Sequence, residues 1–234
     1  MLKKIVETLA LKIKKRAINI DEKIPDSYLW SLLFSKFFMV VRGWLHFRSL
    51  NIILVGSGVT IKARSLIKVG KGLVIEDRCI IDAVSTDGII FGHGVSLNRG
   101  VAIECTGSLT KLGKGIYIGN NVGIGCGSFF GCSGGIFIGD DTIIGNFVTF
   151  HSENHMYSDA LIPIRLQGVH SVGITIGRNC WIGANVTILD GVILGDGCVI
   201  AAGSVVKSGV YEEQSIYAGV PANYIRSRLS ISEK

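Results

Sequence analysis

The chain has 234 residues, with 31 glycines, three prolines and only 18% charged residues, a length that suits one large domain or one domain with an appendage. Glycine used so freely without low complexity implies many tight turns. The net charge of +6 lies wholly in residues 1–50, which hold ten Lys/Arg against four Asp/Glu, while residues 51–234 hold fourteen of each; a neutral main body without a recognised module argues against nucleic acid as a partner.

Residues 1–50 read as helical. Leu2, Ile5, Val6, Leu9 and Ile13 recur at the spacing of an amphipathic helix, with Lys3, Lys4, Lys12, Lys14, Lys15 and Arg16 at the other positions. Met1 to Arg16 lacks the apolar core and cleavage site of a secretory leader, so a cytoplasmic setting with reduced thiols is expected for the six cysteines. A second, aromatic-rich segment, YLWSLLFSKFFMVVRGWLHF, is also expected to be helical. Its longest apolar run, Ser31 to Val41, is interrupted by Lys36 and is too short to span a bilayer. Two roles stay open for these helices. They can cap the end of the following domain or pack on a neighbour, or they can dock peripherally on the inner membrane surface through a basic rim with Trp30 and Trp44. Only Gly43 among the glycines precedes residue 51, so a boundary is expected near residue 50.

From Ile176 the chain reads in sixes: IGRNCW, IGANVT, ILDGVI, LGDGCV, IAAGSV, with an aliphatic residue at 176, 182, 188, 194, 200 and 206. The same hexad begins at Ile118, Ile124, Ile138 and Ile144, and weaker copies begin at Val55 and Phe91. A period of six is neither helical nor a simple strand alternation. It predicts a parallel β-helix, each hexad a short strand plus a turn, three hexads making a coil of about 18 residues. The aliphatic residue points inward, and a small residue follows where volume or a positive φ is a problem. Cys180 and Cys198 should stack about 4.8 Å apart in a small apolar ladder, a redox pair being the lesser alternative.

Two slips break the period. Ile118 to Ile138 is 20 residues, which places a small bulge near GCSGG. Phe150 to Ile176 is 26 residues, read as one coil plus a loop of about eight extra residues. At the root of that loop, near 151–173, stands FHSENHMYSD, a polar, titratable cluster that interrupts the apolar-glycine repeat.

The run TIGRNCWIGANVTILDGVILGDGCVIAAGSVV followed by YAGVPANYIR resembles the hexapeptide-repeat acyltransferases, and more narrowly their galactoside, maltose and polysaccharide O-acetyltransferase branch. The resemblance covers roughly residues 53–225. It implies an all-β, left-handed parallel β-helix, an exception to right-handed parallel crossovers, behind an N-terminal helical segment. The expected layout is a helical segment 1–50, the β-helix domain 51–225 and a tail 226–234. It also implies a homotrimer with acetyl-CoA in a cleft between adjacent β-helices, and direct acetyl transfer to a saccharide hydroxyl of a surface polysaccharide or its lipid-linked precursor.

By the same resemblance His155 is the catalytic base. The chemistry agrees, since a sugar hydroxyl is a poor nucleophile at neutral pH and an imidazole can take its proton as the oxygen attacks a thioester. The developing oxyanion would need a backbone N–H donor. Asn154 and Asp159 are expected to orient His155 or hold the acceptor, with His151 lining the same cleft and Glu153 a weaker candidate. His170, at the far end of the loop, reads as a surface residue. For acetyl-CoA the resemblance points to Trp181, Gly183, Ala184, Ala201 and Ala202, with Lys207 and Arg226 as cations for its phosphates. Ser208 and Asn223 stand where the family often has cations, which puts the grip on those phosphates in doubt. No metal is expected. Alternatives are a nucleotide-sugar N-acetyltransferase, a zinc enzyme of the γ-carbonic-anhydrase kind using histidines such as His93, His151, His155 and His170, and a non-catalytic solenoid.

Overall fold

The computed structural model describes residues 2–14, 19–49 and 51–229. Two helices, α1 (Leu2–Lys14) and α2 (Asp26–Phe47), precede a parallel β-helix whose strands run from Leu54–Val55 to Ser215–Ala218, with a last strand, Asn223–Ser227, added antiparallel. The strands stack into three sheets of nine, seven and seven strands, the three faces of a prism. The inward ladder of the first face runs Val55, Ile75, Leu97, Ile124, Ile144, Ile182, Ile200. The second face stacks Ile61, Ile81, Ile103, Phe130, Phe150, Ile188, Val206. The third stacks Val69, Phe91, Ile118, Ile138, Ile176, Leu194, Tyr211.

The six-residue period is therefore the passage from one face to the next. Ile176, Ile182, Ile188, Leu194, Ile200 and Val206 are each at most 1% exposed. A second residue of each hexad, two before the first, also turns inward: Cys180, Val186, Val192 and Cys198 are buried. All six thiols are free, so Cys180 and Cys198 belong to the core ladder and form no disulfide. Buried Ser128 donates to the Gly145 carbonyl at 3.1 Å, and Thr142 to the Gly177 carbonyl at 3.1 Å, so these polar members of the ladder are satisfied.

Small residues around the strand ends have two separate physical reasons. Directly after the inward aliphatic residue the constraint is space: a Cβ on Gly145 would lie 2.6 Å from the Ala184 nitrogen of the next coil. Two residues further on the constraint is dihedral. Asn121, Asp141, Asn179 and Asn185 take φ of 53–58°, a region that Asn and Asp tolerate better than most residues.

All excess chain length leaves the prism at one edge. First to second face, and third to first face, the inward residues are six apart in every coil. Between the second and third faces the spacing is six only from Ile188 to Leu194; it is ten from Ile81 to Phe91, fifteen from Ile103 to Ile118, eight from Phe130 to Ile138 and 26 from Phe150 to Ile176. The bulge at GCSGG lies where the Ile118–Ile138 slip puts it. The main loop needs correction. Phe150 pairs with Ile188, and Ile138 with Ile176, so Phe150 and Ile176 sit on adjacent faces and not one coil apart. The loop holds twenty extra residues, not eight. The excursion between Ile103 and Ile118 carried no repeat signal to mark it.

The helices close the first coil. Leu2 and Val6 of α1 bury against Leu29, beside Ile20, Ile24 and Leu33. Ile5, expected on the same apolar stripe, is exposed. On α2, Met39 packs on Leu54 and Val74 of the first face, and Phe47 packs against the end of the main core. Arg42 Nε donates to the Val55 carbonyl at 2.8 Å, and Arg64 donates to the His46 carbonyl. The Arg42 bond occupies a carbonyl of the outermost strand, which would otherwise present an open sheet edge. At the other end the edge is covered by Asn223–Ser227, antiparallel to Ser215–Ala218. Arg226, expected in the tail, lies on that strand.

Candidate active site

The main loop starts and returns as a short antiparallel pair, Asn154–His155 against Val169–His170, with Asn154 opposite His170 and His155 opposite Val169. Strand alternation puts Asn154 and His170 on one side of this hairpin and His155 on the other. His155 is exposed. His170, remote from His155 in sequence, is thereby carried to the root of the loop, on the opposite side of the hairpin from His155.

Beneath the hairpin lies Asp190, 3% exposed, a residue with no place in the sequence reading. Its carboxylate accepts the backbone N–H of Val172 at 2.9 and 3.0 Å and that of Gly173 at 2.7 Å, and faces Asn154 Nδ2 at 3.4 Å. It anchors the returning strand and the outgoing strand to the coil below. The signal in the sequence is slight: the next hexad, LGDGCV, carries Asp-Gly at the same two positions, and ILDGVI differs from its neighbours in Leu189, where they carry Gly or Ala.

Asp159 lies farther out. Its Oδ1 accepts the Leu161 N–H at 2.8 Å, while Gln167 Nε2 donates to the carbonyls of Asp159 (2.8 Å) and Ile162 (2.7 Å). These bonds close the loop tip on itself, and the Asp159 carboxylate serves the tip's own backbone. Two open grooves flank the loop root. One, of about 190 Å³, lies on the second face and is lined by Glu104, Phe129, His151 and Glu153, with the His151 ring 5.9 Å from that of Phe129. The other, of about 460 Å³, lies on the third face and includes Lys114, Gly134, Gly173 and the stacked rings of Tyr117 and Phe137, 5.0 Å apart.

The residues expected to meet acetyl-CoA stand elsewhere. Trp181 projects from the first face beside exposed Ile143, opposite Val199. Gly183, Ala184, Ala201 and Ala202 form the edge between first and second faces. A Cβ on Gly183 would lie 2.5 Å from the Ala202 nitrogen, so coil stacking alone already requires this glycine. Ala184 and Ala202 leave that edge without side-chain bulk, and Ala202 is exposed. A thin, extended ligand fits such a rim. Lys207 is exposed at the edge between second and third faces, and its carbonyl accepts the Tyr211 hydroxyl at 2.9 Å. Arg226 is exposed on the first-face sheet, with Nη1 3.3 Å from the Ser227 carbonyl. One chain does not bring these two cations together.

The site residues therefore divide between two edges of the prism. From Ala184 to Asp190 the second face spans six residues of extended chain, about 20 Å at most. Among the described residues no group of three or more His, Cys, Asp and Glu side chains is gathered as a metal site requires. His93 lies at the edge between third and first faces, where Nδ1 accepts the Lys71 N–H at 2.9 Å.

Residues 173–208 match the family model described as bacterial transferase hexapeptide (six repeats). No curated protein matches at a significant level. Among solved structures the chain is similar to AntD, an N-acyltransferase from Bacillus cereus. A mutant of AntD in complex with dTDP and coenzyme A is 23% identical, with a TM-score of 0.56 over 68% of this chain and 83% of that one. AntD in complex with dTDP and 3-hydroxybutyryl-CoA is 20% identical, with a TM-score of 0.54 over 80% and 86%. A hexapeptide-repeat acetyltransferase from Vibrio cholerae, VCA0836, is 19% identical, with a TM-score of 0.44 over 97% and 90%. At these identities the likeness to AntD is one of fold alone; the fold of this chain is a left-handed parallel β-helix with helices before it.

Proposed function

We propose that the chain is an acetyl-CoA-dependent O-acetyltransferase whose acceptor is a saccharide hydroxyl, in a surface polysaccharide or its lipid-linked precursor. One observation carries the reading: an exposed histidine on an anchored hairpin stands on one edge of the β-helix, and a rim of small residues within the hexapeptide match stands on another. Two edges separated by a whole face complete one site when they come from neighbouring chains, which supports a homotrimer with clefts between subunits.

Acetyl-CoA would supply an acyl group activated as a thioester. The Ala184 and Ala202 rim would hold its pantetheine arm, with Trp181 as a wall. Arg226 and Lys207 of different subunits would supply charge for its phosphates. His155 would accept the acceptor hydroxyl proton as the new C–O bond forms, and return it to the departing sulfur, leaving an acetyl ester and free CoA thiol. Asn154 acts at one remove, tying the hairpin to Asp190. The groove of Glu104, Phe129, His151 and Glu153 beside the hairpin offers an aromatic face and carboxylates to a sugar.

Titration with acetyl-CoA should show saturable binding near one site per chain. His155→Ala should keep that binding and the assembly, and lose transfer by two or more orders of magnitude; full turnover by this variant removes His155 as the base. The second reading, N-acylation of a nucleotide-linked amino sugar, has AntD's fold in its favour. Amino-sugar and hydroxyl acceptors compared in one thiol-release assay separate the two.

A further inference from the structure

The helix α2 has two unlike faces. Leu29, Met39 and Gly43 are buried against α1 and the first coils. Its two internal cations also turn inward: Lys36 pairs with Glu76 at 2.9 Å, and Arg42 bonds the Val55 carbonyl. The opposite face has no cover among the described residues. Trp30, Phe34, Phe37 and Trp44 follow one another at four, three and seven residues and are 63%, 68%, 63% and 61% exposed. Val41 and Leu45 continue the stripe, and no charged side chain is exposed between Ser27 and Leu45. A 22-residue helix is about 33 Å long, so this is a continuous apolar ridge, which water-exposed surfaces rarely keep without a partner.

We infer that this ridge docks the protein on an anionic lipid bilayer, lying in the interface with α2 parallel to the surface. Three observations choose this occupant. The whole net charge of the chain sits in residues 1–50, so the ridge is joined to a positive segment and not to a neutral one. The basic helix α1 packs on the N-terminal half of α2 through Leu2, Val6 and Leu29, beside the ridge. Trp30 and Trp44 bracket the stripe of phenylalanines, the arrangement that suits a headgroup boundary. No helix among the described residues is long and apolar enough to cross a membrane. The inference rests on the helices alone and stands apart from the reaction proposed for the β-helix.

The test is co-sedimentation of the full chain with phosphatidylcholine vesicles, with and without 30% phosphatidylglycerol, at low and high salt. The comparison variant is Phe34→Ser/Phe37→Ser/Trp44→Ser, whose three positions are all solvent-exposed. Circular dichroism and thermal unfolding check that its β-helix is retained. Expected are binding to the anionic vesicles, weakened by salt, and at least a tenfold loss of partitioning in the variant. Equal binding to neutral vesicles overturns the choice of an anionic surface. No vesicle binding, or binding that the variant keeps, overturns the inference. No vesicle binding together with a smaller assembly in the variant, by light scattering, assigns the ridge to a second copy of the chain instead.

Discussion

Cys180 shows how position in a coil overrides the chemistry of a side chain. Burial pushes its thiol up to about 11, and Cys79 likewise, so neither is a thiolate near neutrality. Cys126 is the one cysteine that is not buried. Native protein at pH 8 should therefore react with one equivalent of a thiol reagent per chain, at Cys126, and with six after denaturation. Fast modification of Cys180 in the folded state would contradict the ladder. Asp190 is the opposite case, a buried polar side chain held by its hydrogen-bond partners. Asp190→Ala leaves the Val172 and Gly173 N–H groups without their acceptor, at a cost of about 3 kcal/mol. Chemical denaturation would measure that loss, and limited proteolysis should cut faster within 151–173 while the coils stay resistant.

At the level of the element, stability is repetition. Each inward residue stacks on its counterparts above and below, as Phe130 does on Phe150 with ring centroids 4.6 Å apart. One misfit is therefore felt by two neighbouring coils. Gly145→Ala introduces a Cβ 2.6 Å from the next coil's backbone nitrogen, which no rotamer change relieves. It should cost about 1–3 kcal/mol, read as a lower unfolding midpoint. The same exchange at Gly203, where a Cβ would meet nothing within 4 Å, should register only its positive φ of 73°. Equal losses at the two sites would show that close approach is not the constraint at the strand ends.

Across the whole molecule, the separation of the two candidate edges becomes a prediction about assembly. If neighbouring chains complete each site, two inactive chains can restore one another. His155→Ala removes the histidine edge, and Ala202→Trp blocks the small-residue rim. Each homogeneous protein should be inactive. Mixed assemblies from co-expression should recover a fraction of wild-type turnover, because some clefts then pair an intact histidine edge with an intact rim. No recovery, with mixed assemblies verified by mass, would place the site within one chain.

Much of this architecture is legible in the order of residues. The strict recurrence from Ile176 to Val206 specifies the hexad, the inward positions and the three-faced coil, because every coil must present an apolar residue at the same place to bury its neighbour. The helices at both ends of residues 1–50 follow from spacing and composition in the same local way. What could not be read was which face each irregular segment joins. A period states that Phe150 and Ile176 are both inward, but not that they lie on adjacent faces, and so the loop was undercounted by twelve residues. Asp190 was invisible for a related reason: its role depends on Val172, Gly173 and Asn154 being folded over it from far along the chain. The division of the site residues between two edges is likewise a property of the prism. Local pattern reports which residues turn inward; only the stacked coils decide which outward residues become neighbours.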